Sequence, residues 1–352
     1  MPSIDDVAER AGVSVRTVSR ILSGKQVRAE TRRRVEQAMQ ELDYVPSAAA
    51  RSLRGKKVGT IGVIGDHLTT RPHAYEIVAG IQAECERRGR MMMIGETNGS
   101  DASFGNLVER FRQQRMEAIL YATNYLHRVR IEQSFGDTPA ILVNCVDEQG
   151  GYPAVIPNDR AGAKAAAAEL IRLGHRRIAF VGLSELILAT AARKRGYIAA
   201  LEQSSIEVDE RLIRTGVVEG TENDDRTKAK VDPQSEGDDE FEHLPRVLDE
   251  LFSLRAPPTA IMCGNDKMAI RVYFLLHQRL NLRIPEDVSV VGYDDYRLIA
   301  QNLVPSLTTV VLPYYEMGVA AAKLAFDKQR QTKNIYVGCP LVLRKSVSAP
   351  RR

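Results

Sequence analysis

The chain has 352 residues, of which 44% are hydrophobic and 27% are charged, and its formal net charge is +4. This length and composition predict a globular chain with room for a small domain and a core of about 290 residues. No basic segment leads into an apolar run at the start, and no apolar stretch reaches the ~18 residues of a membrane span, so we expect a cytoplasmic protein without secretion signal or membrane partner.

Two short helices joined by a glycine turn are predicted within residues 4–23. The first carries an apolar stripe at i, i+3, i+4 and i+7, formed by Ile4, Val7, Ala8 and Ala11. Gly12 places the turn, and Ser14 is the expected N-cap of the second helix. At about 100° per residue, Val18 and Leu22 point one way, whereas another face holds Arg16, Thr17 and Arg20. The pattern predicts a helix-turn-helix reader of duplex DNA, with an amphipathic hairpin bearing solvated arginines as the alternative.

A third helix and a local excess of positive charge favour the DNA-binding interpretation. Between Thr31 and Leu42 the same apolar spacing recurs at Val35, Ala38, Met39 and Leu42. This third apolar stripe is enough to close a small three-helix core. Residues 1–57 hold 12 Lys and Arg against 7 Asp and Glu, while the rest of the chain is close to neutral. Such a concentrated cationic excess is the footprint expected of phosphate contacts.

A short segment follows the third helix, from Tyr44 to Gly55, with Pro46 near its start. Two helical turns are marginal in isolation, so this segment would become helical only when something holds it. Leu53, on an otherwise small and basic helix, is a candidate wedge for a minor-groove base step. The spacing alone favours a plain interdomain linker.

From Lys57 onwards, short apolar runs alternate with longer helical patterns, which predicts parallel sheets with crossover helices. The alternation occurs in two series, so the predicted fold is an all-α helix-turn-helix headpiece plus an α/β core of two parallel-sheet lobes. The helices expected in the core cover about residues 73–88, 105–114, 159–173, 190–202 and a segment ending near 279. Ligand sites in such folds lie beyond the carboxyl ends of the strands.

Two further features limit the chemistry of the core. The four cysteines lie far apart without metal-ligand spacing and are expected to be reduced and structural: Cys85, Cys145, Cys263 and Cys339. We therefore expect no metal and no cofactor. Residues 221–243 hold nine acidic and three basic residues and are predicted to form an inserted mobile surface loop.

The runs DVAERAGVSVRTVSRILSG, ELDYVP and AAARSLRG resemble the DNA-binding headpiece and hinge of the lactose-repressor and purine-repressor (LacI/GalR) family. The resemblance implies that Val15 and Arg16 open a recognition helix in the major groove, with Arg16 favouring a guanine, although the helical wheel alone turns Val15 inwards. The resemblance also implies that Arg20 reaches base edges and that Ser14, Thr17, Ser19 and Ser23 serve mainly as backbone-positioning contacts. Further DNA contacts are implied at Tyr44 and Ser47. Ala50 and Leu53 would enter the minor groove at the centre of a pseudo-palindromic operator, where Leu53 would unstack the central step.

The resemblance extends across the core through PNDRAGAKAAAAELIRLGHRRIAFVG, ARKRGYIAAL, CGNDKMAI and SVVGYDD. It implies a core similar to periplasmic sugar-binding proteins, with two lobes, three crossings between them and an effector in the cleft. The implied effector-binding residues are Arg193, Asp294, Asn265, His73, Ala74, Tyr75 and Asn144. From the residues alone, Arg193 could instead belong to a solvated cationic face, Asp294 and Asn265 could be turn or helix caps, and His73 could be a surface residue.

The predicted boundaries are 1–45 for the helix-turn-helix domain, 46–57 for the hinge and 58–352 for the core. Within the core, one lobe would contain residues 58–157 with 293–312. The other lobe would contain residues 158–290 with 313–352.

These features predict a sequence-specific DNA-binding regulator, not an enzyme. We expect a homodimeric repressor whose operator affinity a small effector controls, with release on binding; a corepressor-dependent regulator is the alternative. After the strand that ends near Gly216, the family often has an aromatic residue that stacks on the effector. Here no aromatic residue occurs between Gly216 and Phe241. We therefore expect the effector to be a sugar or a sugar derivative. A sugar-binding transport protein, a sugar enzyme and a ligand-independent architectural protein are the alternatives of other kinds.

Overall fold

A computed structural model describes residues 2–23, 25–45, 59–69, 74–185, 187–217, 241–327 and 333–351. It divides into a small unit, residues 1–59 with 114–116, and a large unit formed by the remaining residues. Predictions for Ser47, Ala50, Leu53 and His73, and for the acidic segment up to residue 240, lie outside the described residues. Within the described ranges, no helix has the length and apolarity to cross a membrane.

The described residues of the small unit contain three helices: α1 (Ile4–Ala11), α2 (Val15–Leu22) and α3 (Ala29–Glu41). Ser3 and Asp6 close a capping box at the start of α1, and Gly12 ends that helix with a φ of 61°, a left-handed conformation that suits glycine. Ser14 caps α2 as predicted, because its Oγ accepts from the Thr17 backbone N–H at 3.3 Å. The helices bury a common core of Val7, Ala8, Ala11, Val18, Ile21, Val35 and Ala38.

The described residues of the large unit form two six-stranded sheets. The first has the order β11-β5-β4-β3-β1-β2, and its ladders are parallel. Its strands are β1 (Thr60–Asp66), β2 (Met91–Glu96), β3 (Ala118–Val129), β4 (Ala140–Asp147), β5 (Ala154–Pro157) and β11 (Ile335–Val337).

The second sheet has the order β12-β10-β9-β8-β6-β7, and only its β10–β12 ladder is antiparallel. Its strands are β6 (Ile178–Gly182), β7 (Ile213–Thr215), β8 (Ala260–Cys263), β9 (Ser289–Asp294), β10 (Thr308–Val311) and β12 (Leu341–Val342). The strand residues from β8 to β10 are almost entirely buried, as expected of parallel strands covered by helices on both faces.

Helices cover both sheets: α4 (Tyr75–Arg87), α5 (Asp101–Gln113), α6 (Asp159–Arg172), α7 (Leu188–Gln203), α8 (Leu244–Phe252), α9 (Asp266–Gln278), α10 (Arg297–Ala300) and α11 (Tyr314–Phe326). The helices α4 and α11 approach closely because each presents a glycine to the other's backbone. A Cβ at Gly80 would overlap the Tyr315 carbonyl, and a Cβ at Gly318 would overlap that of Ile77. The predicted fold class, a helical headpiece with two parallel-sheet lobes, is confirmed.

Sheet membership corrects the lobe boundaries predicted from the sequence. Those boundaries assign residues 293–312 to the first lobe and 313–352 to the second. The assignment is wrong for residues 293–312 and for α11 and β11, whereas β12 does lie in the second sheet. The strand β10 lies in the second sheet, whereas α11 packs on α4 and β11 pairs with β5 of the first sheet. The chain changes lobe three times, between β5 and α6, between β10 and α11, and between β11 and β12. Three crossings are the number that the resemblance implies.

Candidate functional site

The helix α2 exposes a polar face to solvent and packs its apolar face against the other helices of the small unit. Val18 is fully buried and Ile21 is nearly so, whereas Arg16 and Arg20 are exposed. Val15, which the helical wheel alone turns towards the core, is 38% exposed, so the wheel is wrong at this position. The first turn of α2 therefore offers Val15 and Arg16 to solvent together.

Hydrogen bonds at both ends hold this helix in place. Ser14 Oγ lies 3.0 Å from Thr17 Oγ1, in addition to capping the helix. At the other end, Ser23 Oγ donates to the Ser19 carbonyl at 2.8 Å and to the Arg20 carbonyl at 3.0 Å. Arg20 donates to the Gln26 carbonyl at 3.2 Å, and Tyr44 packs against the helical core. The predicted backbone-positioning residues thus also fix the helix that carries them.

The third helix braces the turn before α2. Arg34 of α3 donates to the Ala11 carbonyl and, at 3.1 Å, to the Gly12 carbonyl. These carbonyls lie at the C-terminal end of α1, where a helix leaves backbone acceptors without partners of its own. Arg10 of α1 pairs with Glu41 at the far end of α3. These contacts make the three helices one rigid support for the exposed face of α2.

In the large unit, Arg193 lies beyond the carboxyl ends of the second sheet's strands. Its Nε donates to Asp159 Oδ1 at 2.8 Å, and its Nη1 donates to the Gly264 carbonyl at 2.6 Å. Its Nη2 lies 3.9 Å from Asp294 Oδ1, and its guanidinium stacks 3.6 Å from the centroid of the Tyr293 ring. The arginine is 6% exposed, so it does not belong to a solvated cationic face.

The charges of this cluster shift each other's protonation. Burial opposes the charge on Arg193, but Asp159 and the neighbouring groups hold its pKa above the ordinary value. Burial raises the pKa of Asp294 to about 8; Arg193 acts against that rise, whereas Asp266 and Asp159 add to it. Perturbed carboxyl groups around one buried cation are typical of a ligand site, although structural ion-pair networks also produce them.

Asp266 fixes the turn that carries Asp294. One of its oxygens accepts from Thr309 Oγ1 at 2.7 Å and the other from the Tyr296 backbone N–H at 2.7 Å. It is 1% exposed, and burial raises its pKa to about 7. Gly292 makes room for it, because a Cβ there would overlap the carboxylate. Asp294 itself has a φ of 116°, a strained value for an aspartate that suggests functional constraint.

The first lobe meets this cluster at the start of α11. Tyr314 follows the second crossing, and its hydroxyl donates to the Asn124 carbonyl of β3 at 3.4 Å. Two buried acceptors nearby have no hydrogen-bond partner among the described residues, Asn124 Oδ1 and Asp159 Oδ2. Unpaired buried acceptors are uncommon in folded proteins.

The other predicted effector residues have diverse surroundings. Asn265 caps α9, since its Oδ1 accepts from the Met268 N–H at 2.8 Å. Asn144 is buried with a φ of 59° and donates to the Thr123 carbonyl at 3.1 Å, so it ties β4 to β3. Ala74 is buried in the core of the first lobe, whereas Tyr75 beside it is 59% exposed. The structure brings Arg193 and Asp294 together and gives Asn265 and Asn144 structural bonds.

Sequence reasoning missed four residues that build this cluster: Asp159, Asp266, Tyr293 and Tyr314. Asp159 and Asp266 each stand at the first position of a helix behind a capping asparagine, in the sequences NDRAG and NDKMA. An acidic first turn is common, because it complements the helix dipole, so this signal did not distinguish them. Tyr293 directly precedes Asp294 and could have been singled out as its neighbour.

Together, a helix-turn-helix unit with an exposed basic face and a two-lobed core with a charged cleft define a DNA-binding transcription regulator. Residues 3–47 match the family model described as bacterial regulatory proteins, lacI family. Residues 167–347 match that of the periplasmic binding protein-like domain.

Relatives and solved structures agree along the whole chain. The sucrose operon repressor of Escherichia coli is 30% identical over 351 residues, covering 98% of this chain and all of the relative. The ribose operon repressor of Escherichia coli K12 is 31% identical over 336 residues, or 94% of each protein. The Lac repressor bound to ONPG in the repressed state superposes with a TM-score of 0.71 at 26% identity, covering 98% of this chain and 99% of that one. The chain belongs to the lacI family of bacterial regulatory proteins.

Proposed function

We propose that this protein is a cytoplasmic repressor that binds a pseudo-palindromic operator as a homodimer and that a sugar-like effector in the cleft lowers its operator affinity. The observation that carries this proposal is the exposed first turn of α2, where Val15 and Arg16 face solvent while Val18 and Ile21 anchor the helix. A recognition helix needs this division between a reading face and a packed face.

On the DNA side, we assign base readout to Val15, Arg16 and Arg20. An arginine at the start of a recognition helix can donate two hydrogen bonds to a guanine in the major groove. Ser14, Thr17, Ser19, Ser23 and Tyr44 contact the sugar-phosphate backbone in this proposal and set the register of the helix. In the proposed hinge of residues 46–57, Ala50 and Leu53 would enter the minor groove at the centre of the operator, and Ser47 would be a further DNA contact.

On the effector side, the Arg193–Asp159–Asp294 cluster provides both kinds of hydrogen-bonding group that a polyol requires. Arg193 Nη2 can donate to a hydroxyl oxygen, while a carboxyl oxygen of Asp294 can accept from a hydroxyl. Asn265, Asn144, Ala74, Tyr75 and His73 complete the proposed lining. An effector that binds one lobe arrangement more tightly than the other changes the free energy of operator binding. The change is limited by the difference between its two binding free energies and is typically about 1–3 kcal/mol.

The DNA half is tested by finding the operator and then changing Arg16. Selection of bound duplexes from a random pool identifies the preferred sequence, and operators with single base-pair changes then measure its specificity. Arg16→Ala should cost about 1–3 kcal/mol on the preferred operator and relax the preference at one base pair, while ligand binding to the core is unchanged.

The matched control is Arg33→Ala, which removes an exposed arginine from α3 of the same headpiece. Its effect, if any, should be equal across all operator sequences, as expected of a phosphate contact. An equal loss on all sequences for Arg16→Ala would make that residue a phosphate contact too. If a bound effector instead increased operator affinity, the proposed direction of regulation would be reversed and the effector would be a corepressor.

A further inference from the structure

The effector cleft, the space around Arg193 and Asp294, contains more carboxyl groups than its buried cation needs. Asp159 Oδ1 accepts from Arg193 Nε at 2.8 Å, and the arginine also donates to the Gly264 carbonyl at 2.6 Å. Asp159 and Arg193 are 2% and 6% exposed, so the pair balances its charge without help from solvent. Asp294, whose Oδ1 lies 3.9 Å from Arg193 Nη2, is therefore a second carboxyl beside an arginine that is already neutralised.

Two helices begin beside Arg193, and an aspartate stands at the first position of each. Helix N-termini carry partial positive charge and readily bind phosphate or carboxylate groups. Asp159 opens the 14-residue helix α6, and Asp266 opens the 13-residue helix α9 just after Gly264. Both aspartates are buried. Carboxyl groups of the chain thus occupy the two helix ends that an anionic ligand would use.

The backbone donors at these helix ends are also partly used. Asn158 Oδ1 accepts from the Ala161 N–H of α6 at 3.2 Å, and Asn265 Oδ1 accepts from the Met268 N–H of α9 at 2.8 Å. Each cap takes one of the few N–H groups that lack a partner within their own helix. An incoming anion would therefore compete with a side chain for these donors.

The other charges of the second lobe do not make the cleft cationic. Burial raises the pKa of Asp294 to about 8; Arg193 and Lys267 act against the rise, whereas Asp266 and Asp159 add to it. Lys267 is exposed, so water and salt screen its charge. If Asp294 is ionised, it repels an anion. If Asp294 is protonated, Arg193 and Asp159 still cancel each other.

The first lobe adds negative charge to the same space. Burial raises the pKa of Tyr314, Asp294 and Glu76 add to the rise, and Arg193 acts against it. Glu76, on α4 of the first lobe, is half-buried, whereas Arg297, which opposes the rise of the Glu76 pKa that burial causes, is exposed. On this side of the cleft the positive charge is thus solvated and the negative charge is partly buried.

We propose that the effector is an uncharged sugar and that Asp294 excludes sugar phosphates and sugar acids from the cleft. The inference rests on the proposed function of the cleft and narrows its class of effector. A sugar hydroxyl both donates and accepts, so it can bridge Arg193 Nη2 and a carboxyl oxygen of Asp294. A phosphate or carboxylate would instead be buried without a counter-charge, beside a carboxyl group. Such discrimination uses a repulsive group as well as attractive ones.

Isothermal titration of the full-length protein with matched ligand pairs tests the proposal. Each pair differs by one anionic group: glucose and glucuronate, galactose and galacturonate, ribose and ribose 5-phosphate, and sucrose and sucrose 6-phosphate. We expect at least one uncharged sugar to bind and its charged partner to bind at least about tenfold more weakly. A charged partner that binds as tightly as its sugar would overturn the proposal, and so would a lack of binding by every uncharged sugar at millimolar concentration.

The variant Asp294→Asn separates charge from shape, because the amide has nearly the size of the carboxyl group and carries no charge. It alters a ligand group, so the affinity for the uncharged sugar falls too, and the decisive quantity is the ratio of the two affinities. We expect this ratio to fall by about threefold or more. The control Asp137→Asn removes an exposed carboxyl group at the amino end of β4 and should leave the ratio unchanged. An unchanged ratio in Asp294→Asn, or the loss of both ligands, would overturn the role of Asp294.

Operator binding on the same samples separates this test from that of the proposed function. Affinity for the selected operator is measured without ligand and with the sugar that binds. A sugar that is preferred over its charged partner but leaves operator affinity unaltered would contradict the proposed control of DNA binding and leave the assigned class of ligand intact. A charged effector that lowers operator affinity would do the reverse.

Discussion

At the scale of single residues, the cleft is organised by one buried ion pair. Arg193 and Asp159 are 6% and 2% exposed, and the arginine also donates to a backbone carbonyl and stacks on Tyr293. Removing two charges from water costs several kcal/mol each, so such a pair persists only when further hydrogen bonds satisfy it. The same arginine that we assign to the effector therefore also supports the fold of the second lobe.

Replacing Arg193 should destabilise the core because Asp159 would be left buried without its cation. We expect Arg193→Ala to lower the free energy of unfolding by about 3–5 kcal/mol and to abolish the effector response. Urea denaturation followed by circular dichroism measures the first effect. Arg195→Ala, two positions along the same helix but exposed, should change stability by no more than about 0.5 kcal/mol. Equal stabilities of the two variants would mean that the buried pair does not support the fold.

At the scale of elements, local patterns predict helices well and lobe membership poorly. The apolar spacing in residues 4–11 and the cap at Ser14 depend on neighbours within one or two turns, and the structure confirms both. The strand β11 joins the first sheet by pairing with β5, far earlier in the chain, with Ile335 opposite Val155. The strand β10 joins the second sheet by pairing with β9 and β12, which are its neighbours in the chain as well. Nothing in the period of a buried strand identifies its partner, which is why that assignment failed.

The site shows the same division between local and distant information. Arg193 and Asp294 stand in recognisable motifs, so the sequence indicates them directly. Asp159 becomes visible as the partner of Arg193 only when α6 and α7 are packed together, and the stacking of Arg193 on Tyr293 only when α7 and β9 are. Asn265 shows that one local position can suit two roles, because a side chain that follows a strand can also serve the next helix as its cap.

His175 joins distant elements through a buried ring. It follows α6, is 1% exposed, and places its Nδ1 2.8 Å from Thr259 Oγ1 and its Nε2 2.9 Å from the Ser348 carbonyl. The arrangement fits a ring that donates from Nε2 and accepts at Nδ1. Burial lowers the pKa of His175 below its ordinary value of 6.5, since the charged form would lose solvation.

The stability of the core should therefore fall in mildly acidic solution. Above pH 6.5 the ring is neutral in both the folded and the unfolded chain, so its contribution is complete; as the pH falls below 6.5 the unfolded chain takes up the proton first, and stability is lost. Urea unfolding at pH 7.5 and 5.5 measures this loss. His175→Gln should show a smaller loss than wild type, whereas the exposed His277→Gln should match wild type. A wild-type pH dependence that His175→Gln leaves unchanged would contradict this assignment.

At the scale of the whole molecule, the free edge of the first sheet needs a cover. The edge strand β2 pairs with β1 on one side, and its sequence MMMIGE leaves Met91 72% and Met93 48% exposed. Long, apolar edge strands invite pairing with another chain, and proteins rarely leave them open. Members of this family bind operators as dimers, and a two-fold interface through β2 would bury the same patch on both chains.

A charge on this strand should therefore separate the dimer. We expect Met93→Lys to yield monomers in analytical ultracentrifugation, because two lysines would meet across the two-fold axis without a counter-charge. Operator affinity should fall with it, since a monomer contacts one half-site, while effector binding within each core should persist. The matched control is Tyr336→Lys on β11, which is 61% exposed at the opposite edge of the same sheet and should leave the dimer intact. A dimer that survives Met93→Lys but is lost in Tyr336→Lys would move the interface to the β11 edge.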